Sequence, residues 1–270
     1  MIVKKASASD KDKVLEFCQK TFSWGDYISN VWDYWIKEGD LLTIHENGSP
    51  IAICHASFNK EGKQVWIEGI RVNPLFRRKG YASLLIREAE NLAKQNDCTT
   101  AYMLIASSNV KSINLARKLN YENYENWNFY SLTPKKIDQK QKIKFANYEE
   151  KLPSVLFPSH FFFVKSWRWL PLDDFSMSSL IKEKRIIYFG NDNNTEGLAI
   201  LTDSEHFNDT MLITIISGSI NGLKEILSYV QNFGHQEKYK RIQILTKLKY
   251  LPENENLEYQ FSFYLMKQKI

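Results

Sequence analysis

A chain of 270 residues with 43% hydrophobic side chains and a formal charge of +5 is long enough for two modest cores. No run approaches the roughly 18 to 20 consecutive apolar residues that cross a bilayer, the opening MIVKKASASDKDK has no apolar signal core, and Cys18, Cys54 and Cys98 stand far apart without a CxxC or a Cys/His cluster. A cytoplasmic protein with buried free thiols, no metal and no membrane partner is expected; the charge divides as +2 over residues 1–134, +4 over 135–144 and −1 over 145–270, a basic connector and not a nucleic-acid surface.

Met1–Lys5 reads as a strand, and Ser9 with Asp10 as a cap for a helix carrying Val14, Leu15, Phe17 and Cys18 on one face. The stretch TFSWGDYISNVWDYWIKEGD is too aromatic for one core face of a short helix, so some of its rings are expected to line a cleft or an interface. Residues 41–46 and 50–58 form a hairpin about Asn47-Gly48, and residues 64–72 add a third antiparallel strand. After Asn73-Pro74 comes FRRKGYASLLIREAENLAKQND, a basic glycine turn followed by helical periodicity. Residues 99–106 return as a buried strand, 110–119 as a short helix, and 121–132 as one or two closing strands. The order predicts an α/β (α+β) fold with a mixed sheet.

Beyond a basic linker at 135–147, apolar runs at 186–189, 197–202 and 211–216 read as a meander, 222–233 as a helix, and 241–246 and 258–265 as strands. The order of the first half is thereby repeated, so the expected domains are 1–134 and 148–270, an internal duplication without a visible sequence period. The run SHFFFVKSWRWLP is expected to dock on the first domain, making the chain a monomer with an intrachain pseudo-dimer.

The turn Arg77-Arg78-Lys79-Gly80-Tyr81-Ala82 lies between a strand and a helix. Outward N–H groups and the positive end of the dipole at a helix N-terminus hold a pyrophosphate. Gly80 admits close approach, Ala82 stays small, and the basic side chains flank the site.

With its context, WIEGIRVNPLFRRKGYASLLI resembles the acetyl-CoA signature of the GNAT N-acetyltransferase superfamily: Val72, Pro74, Arg77, Gly80, Ala82 and Leu85 stand where that pattern places them. Asn109, Ser112, Asn120 and Tyr121 match its second signature with substitutions. The resemblance covers residues 1–132 and implies a GNAT fold in the first half and a degenerate GNAT-like unit in the second, where Ile216–Gly222 has no basic residue. It implies acetyl-CoA as cofactor, held by Ile70, Arg71, Val72, Arg77, Arg78, Lys79, Gly80, Tyr81, Ala82, Asn109 and Ser112. The pantetheine arm would lie between two splayed parallel strands, with a backbone N–H facing the thioester carbonyl.

For catalysis the resemblance implies Glu68 as the base that takes the amine's proton. The family's usual acid Tyr is replaced by Ala116, so Tyr121 or Tyr124 is the expected substitute for protonating the departing thiolate. Trp24, Asp26, Tyr27 and His55 are the expected acceptor-binding residues, Asp26 for an amine's positive charge. The function implied is acetyl transfer from acetyl-CoA to a primary amine of a small metabolite, amino acid or peptide N-terminus; the alternative, favoured by Ala116, is a catalytically weak acyl-CoA sensor.

Overall fold

A computed structural model describes residues 2–19, 21, 25–138, 142–147, 161–191, 194–204, 207 and 209–270. The chain divides into two compact units, one of Met1–Tyr124 with Tyr264–Ile270 and the other of Glu125–Phe263. This differs from the expected boundaries at 134 and 148. No helix among the described residues is long and apolar enough to cross a membrane, and the three cysteines are free and buried.

In the first unit β1 (Val3–Lys5) precedes α1 (Lys11–Cys18) and α2 (Ile28–Glu38). Asp10 Oδ2 accepts from the Ser7 backbone N–H and hydroxyl, closing the turn before α1. Gly39, at φ 104°, ends α2 in the left-handed conformation that an L side chain resists. The strands β2 (Leu41–Glu46) and β3 (Ser49–Asn59) meet at Asn47 and Gly48, both with positive φ, as a tight primed turn requires. Then come β4 (Gln64–Val72), α3 (Tyr81–Gln95), β5 (Thr100–Ala106) and α4 (Val110–Lys118). Neighbouring strands run β1-β2-β3-β4-β5 and then the C-terminal half of the chain's last strand; β1 to β4 pair antiparallel in turn, and β4 pairs parallel with β5.

Alternation along β3 and β4 loads two cores. Ala52, Cys54, Ala56, Val65 and Ile67 face Leu85, Ile86 and Ala89 of α3. Leu41 and Ile53 meet Val14, Cys18, Ile28, Val31, Trp32 and Trp35 of α1 and α2. Trp32 and Trp35 are therefore core, each 1% exposed.

The second unit takes β6 (Glu122–Leu132) from Glu125 onward, then β7 (Lys144–Phe145), β8 (Phe162–Lys165), β9 (Arg168–Pro171) and α5 (Asp174–Lys182). β10 (Ile186–Asn191), β11 (Asn194–Asp203) and β12 (Thr210–Gly218) form the meander, followed by α6 (Ile220–Gln236), β13 (Arg241–Thr246) and β14 (Leu257–Lys269). β12 and β13 are parallel, and β6 pairs antiparallel with β13. Meander, helix and parallel strand thus recur in the order of the first unit. The boundary moves because β6 enters the second unit at residue 125 while the end of β14 belongs to the first. Lys144–Phe145, inside the expected linker, pairs with β10. The rings of Phe161, Phe163 and Trp169 in the run SHFFFVKSWRWLP lie in the second unit's own interior: Trp127 meets Trp169 edge-on at 5.4 Å and Phe161 at 6.4 Å, and Phe163 joins the cluster of Ile186, Tyr188 and Leu198. The helix α5 was not foreseen, although Asp173, which accepts from the Ser176 N–H, is its cap in plain view.

Candidate active site

The parallel pairing of β4 with β5 runs Gln64↔Thr100, Val65↔Ala101 and Trp66↔Tyr102 and extends no further among the described residues. β4 continues to Val72 and β5 to Ala106, so the two strands part beyond Trp66. Within the parting segment the β3–β4 register shifts between Ile53 and His55, with Gly69 at φ +63°. This bulge has a consequence for facing. Val65, Ile67, Ile70 and Val72 share the α3 core, whereas Glu68 and Arg71 both meet groups on the α2 side. A Cβ on Gly69 would stand 2.4 Å from Cη2 of Trp35, so the bulge is seated directly on α2.

At the C-terminal end of β4, Asn73 Oδ1 accepts from Leu75 N–H and the chain turns through Arg78 (φ 67°) and Gly80 (φ 88°) into α3. Gly80 is the N-cap residue, with no side chain over the first helical N–H groups and open space where a Cβ would be. Arg77, Arg78 and Lys79 are exposed and, among the described residues, stand in no ion pair. Positive dipole end, uncapped N–H groups and three cations therefore converge. Tyr81 is buried as a side chain in the α3 core, so it offers the turn its backbone alone. The carbonyls of Ile70 and Val72 accept from Arg71 Nη1 and Arg77 Nε at 3.1 Å each.

Glu68 lies two residues beyond the last β4–β5 pair, opposite His55 on β3. His55 Nδ1 is 3.0 Å from Glu68 Oε1, and His55 Nε2 is 3.4 Å from Glu38 Oε2 at the end of α2. Ser57 Oγ donates to Glu38 Oε1 at 2.7 Å. The imidazole lies parallel to Trp35, 4.6 Å between centroids and 6° between planes. His55 has no exposed surface, so its expected place in the acceptor pocket is corrected: it stands behind Glu68.

Other expectations are corrected by the partners these residues hold. Arg71 pairs with Asp26 through two contacts of 2.7 and 3.1 Å, with side-chain exposures of 13% and 3%. Arg71 is thus turned to the α2 side and not to a pyrophosphate, and Asp26 already has its cation. The guanidinium carbon sits 5.2 Å from the Tyr27 ring centroid, and Tyr27 abuts Trp35 edge-on. Burial pushes the Tyr27 phenol up, opposed by Arg71 and reinforced by Glu68 and Asp26. Trp24 lies outside the described residues. Asn109 caps α4, its Oδ1 accepting from Ser112 N–H at 3.1 Å, so both hold the strand–helix turn. Tyr121 is 1% exposed and donates to Glu90 Oε1 at 2.8 Å, with its phenol raised by burial and by Glu90. It is a core residue and not a proton donor for a thiolate. Ala116 is buried beside it in the α3 core. Tyr124 is 40% exposed, its ring meeting Tyr102 at 6.3 Å and Lys267 Nζ at 4.2 Å. Glu38, Trp35 and Glu90 were missed, because nothing local in sequence ties them to residues on β3, β4 or beyond α4.

The corresponding turn of the second unit is closed. Ser219 Oγ accepts from Gly222 N–H, and Ser219 N–H donates to Glu196 O at 2.8 Å. A Cβ on Gly222 would lie 1.9 Å from that carbonyl oxygen. The first turn of α6 is therefore capped and covered by β11, with the Glu196 carboxylate beside it. An anion has neither room nor charge complement there.

The profile described as the Acetyltransferase (GNAT) family matches residues 12–121. Over 104 residues the chain is 42% identical to an aminoglycoside N(6')-acetyltransferase type 1 of Acinetobacter haemolyticus, covering 36% of this chain and 70% of that protein. It is 28% identical over 91 residues to histidine N-acetyltransferase of Oreochromis niloticus, covering 33% of this chain but only 27% of that one. In fold it is similar to a GCN5-related N-acetyltransferase of Sphaerobacter thermophilus, at TM-score 0.65 and 12% identity over 99% of this chain and 95% of that. A second, from Anabaena variabilis, has TM-score 0.51 at 14% identity, over 99% of this chain and 72% of that. The chain belongs to the GNAT acetyltransferase family and is an acyltransferase, of a family that generally uses acetyl-CoA as donor.

Proposed function

We propose that the first unit transfers an acetyl group from acetyl-CoA to a primary amine of a small metabolite, amino acid or peptide N-terminus. The observation that carries the reading is the parting of β4 from β5, with an uncapped, basic helix start at one end and Glu68 two residues from the other. The Arg77–Gly80 turn fits a pyrophosphate, since its backbone groups are uncapped and its cations exposed. Ile70, Val72 and Ala82 would hold the rest of the cofactor through main-chain groups. Bound acetyl-CoA supplies an activated acyl thioester.

The chain's own part is binding, orientation and proton removal. An ammonium has no lone pair to attack with, so the acceptor must lose a proton, and the Glu68 carboxylate receives it directly or through one water. Two carboxylates, Glu68 and Glu38, lie near one another on the α2 side and favour a cationic acceptor. The amines named for the relatives, an aminoglycoside 6'-amine and histidine, have this charge character. Ala116 and the commitment of Tyr121 to Glu90 favour the second reading, an acyl-CoA-binding sensor with slow turnover.

Thermal unfolding with and without acetyl-CoA, run beside CoA release over aminoglycosides, amino acids, polyamines and short peptides, separates the two. Ligand at 100 times its dissociation constant adds about 2.7 kcal/mol. A raised midpoint with CoA release supports transfer and names the acceptor class, a raised midpoint without it supports the sensor, and an unmoved midpoint refutes both. Glu68→Gln is expected to lower kcat by about 10²-fold or more with unchanged acetyl-CoA affinity, and a fully active variant removes Glu68 as base.

A further inference from the structure

We propose that His55 is a positioning residue for Glu68: it grips one oxygen of that carboxylate through Nδ1 and is itself held by the parallel ring of Trp35. The inference rests on Glu68 being the base and goes beyond it in naming what aims it. Cross-strand pairing sets His55 directly opposite Glu68, and Nδ1 meets Oε1 at 3.0 Å. A carboxylate can only accept, so the hydrogen in this contact belongs to Nδ1. Trp35 holds the ring, lying parallel to it at 4.6 Å.

Burial separates the roles. The imidazole has no exposure, whereas Glu68 and Glu38 keep 15% and 27% of their side-chain surface. His55 therefore touches no acceptor and acts only through the carboxylate it holds. Trp35 is in turn fitted against Gly69, the bulge that turns Glu68 and Arg71 to the same side. A base displaced by about 1 Å loses roughly 10²-fold in rate, which sets the size of the effect.

Two variants test this. His55→Asn retains an N–H close to the place of Nδ1, and His55→Leu removes it at similar volume. With the panel amine giving the fastest CoA release, His55→Leu is expected to lower kcat by about 10²-fold, leaving the amine KM and acetyl-CoA affinity within about threefold. His55→Asn is expected to recover at least about tenfold of that loss. In a Glu68→Gln background His55→Leu should cost nothing further, since two residues acting as one unit are not additive. A fully active His55→Leu, equal losses in the Asn and Leu variants, or an additive double variant overturns the proposal. A fully active Glu68→Gln instead removes the base assignment on which it rests. Should His55→Leu not fold, His55→Gln, whose amide lies away from the place of Nδ1, takes its part: a fall in kcat of about tenfold or more at unchanged amine KM is expected, and an unchanged kcat overturns the proposal. Independently of any amine, the Nδ1 proton of His55 should give a protected downfield NMR signal that is lost in Glu68→Ala; a rapidly exchanging Nδ1 proton in the parent protein overturns the grip.

Discussion

Arg71 and Asp26 lie 45 residues apart in sequence and form a nearly buried bidentate pair, which decides what each can do. Truncating one member of such a pair leaves an uncompensated charge in a poor solvent and typically costs about 3 to 5 kcal/mol. Arg71→Ala is accordingly expected to lower the thermal midpoint by several degrees while the protein that remains folded keeps its acetyl-CoA affinity. A selective loss of affinity with unchanged stability would return Arg71 to the cofactor. Glu90 gives a pH-dependent counterpart. Burial raises its carboxyl in the folded state, outweighing the Tyr121 hydrogen bond and the nearby Arg87 and Lys94. A carboxyl raised on folding binds more protons folded than unfolded, so its contribution falls as pH rises through the carboxylate range. The midpoint of Glu90→Gln relative to the parent should therefore move upward over that range, and an unvarying difference would contradict the shift.

Elements place these residues through two glycines. Gly69 holds a positive φ in the middle of a strand and has Trp35 where a Cβ would go. Gly69→Ala is expected to lose stability through both the left-handed conformation and the collision, and to reduce kcat because Glu68 and Arg71 share the bulge. Gly80 differs in having open space around it, so Gly80→Val costs chiefly backbone strain and approach to a phosphate. Its expected signature is weakened acetyl-CoA binding, by calorimetry, with the amine KM little changed. Both glycines were visible in sequence, but only the Gly80 turn lies in a local pattern of strand, basic turn and helix. The bulge at Gly69 depends on pairing with β3, which no local pattern encodes.

Across the whole molecule, two units carry the same order of meander, helix and parallel strand but different helix starts. One is uncapped and basic at Gly80; the other is capped by Ser219 and covered by the Glu196 carbonyl. Calorimetry is therefore expected to find one acetyl-CoA bound per chain, and two equivalent sites would refute the reading of α6. What the sequence by itself determined is the part governed by short-range physics: the alternation of β3 and β4, the 3.6-residue period of α3, the Asn47-Gly48 hairpin and the phosphate-ready turn at residues 77–82. The tertiary structure alone decided which charges remain available, that Asp26 is spent on Arg71, Tyr121 on Glu90 and His55 on Glu68. It also decided that β6 enters the second unit while the end of β14 completes the first. The reason is physical: periodicity and turn chemistry act over a few residues, whereas ion pairing, strand register and burial depend on groups that meet only when distant segments pack.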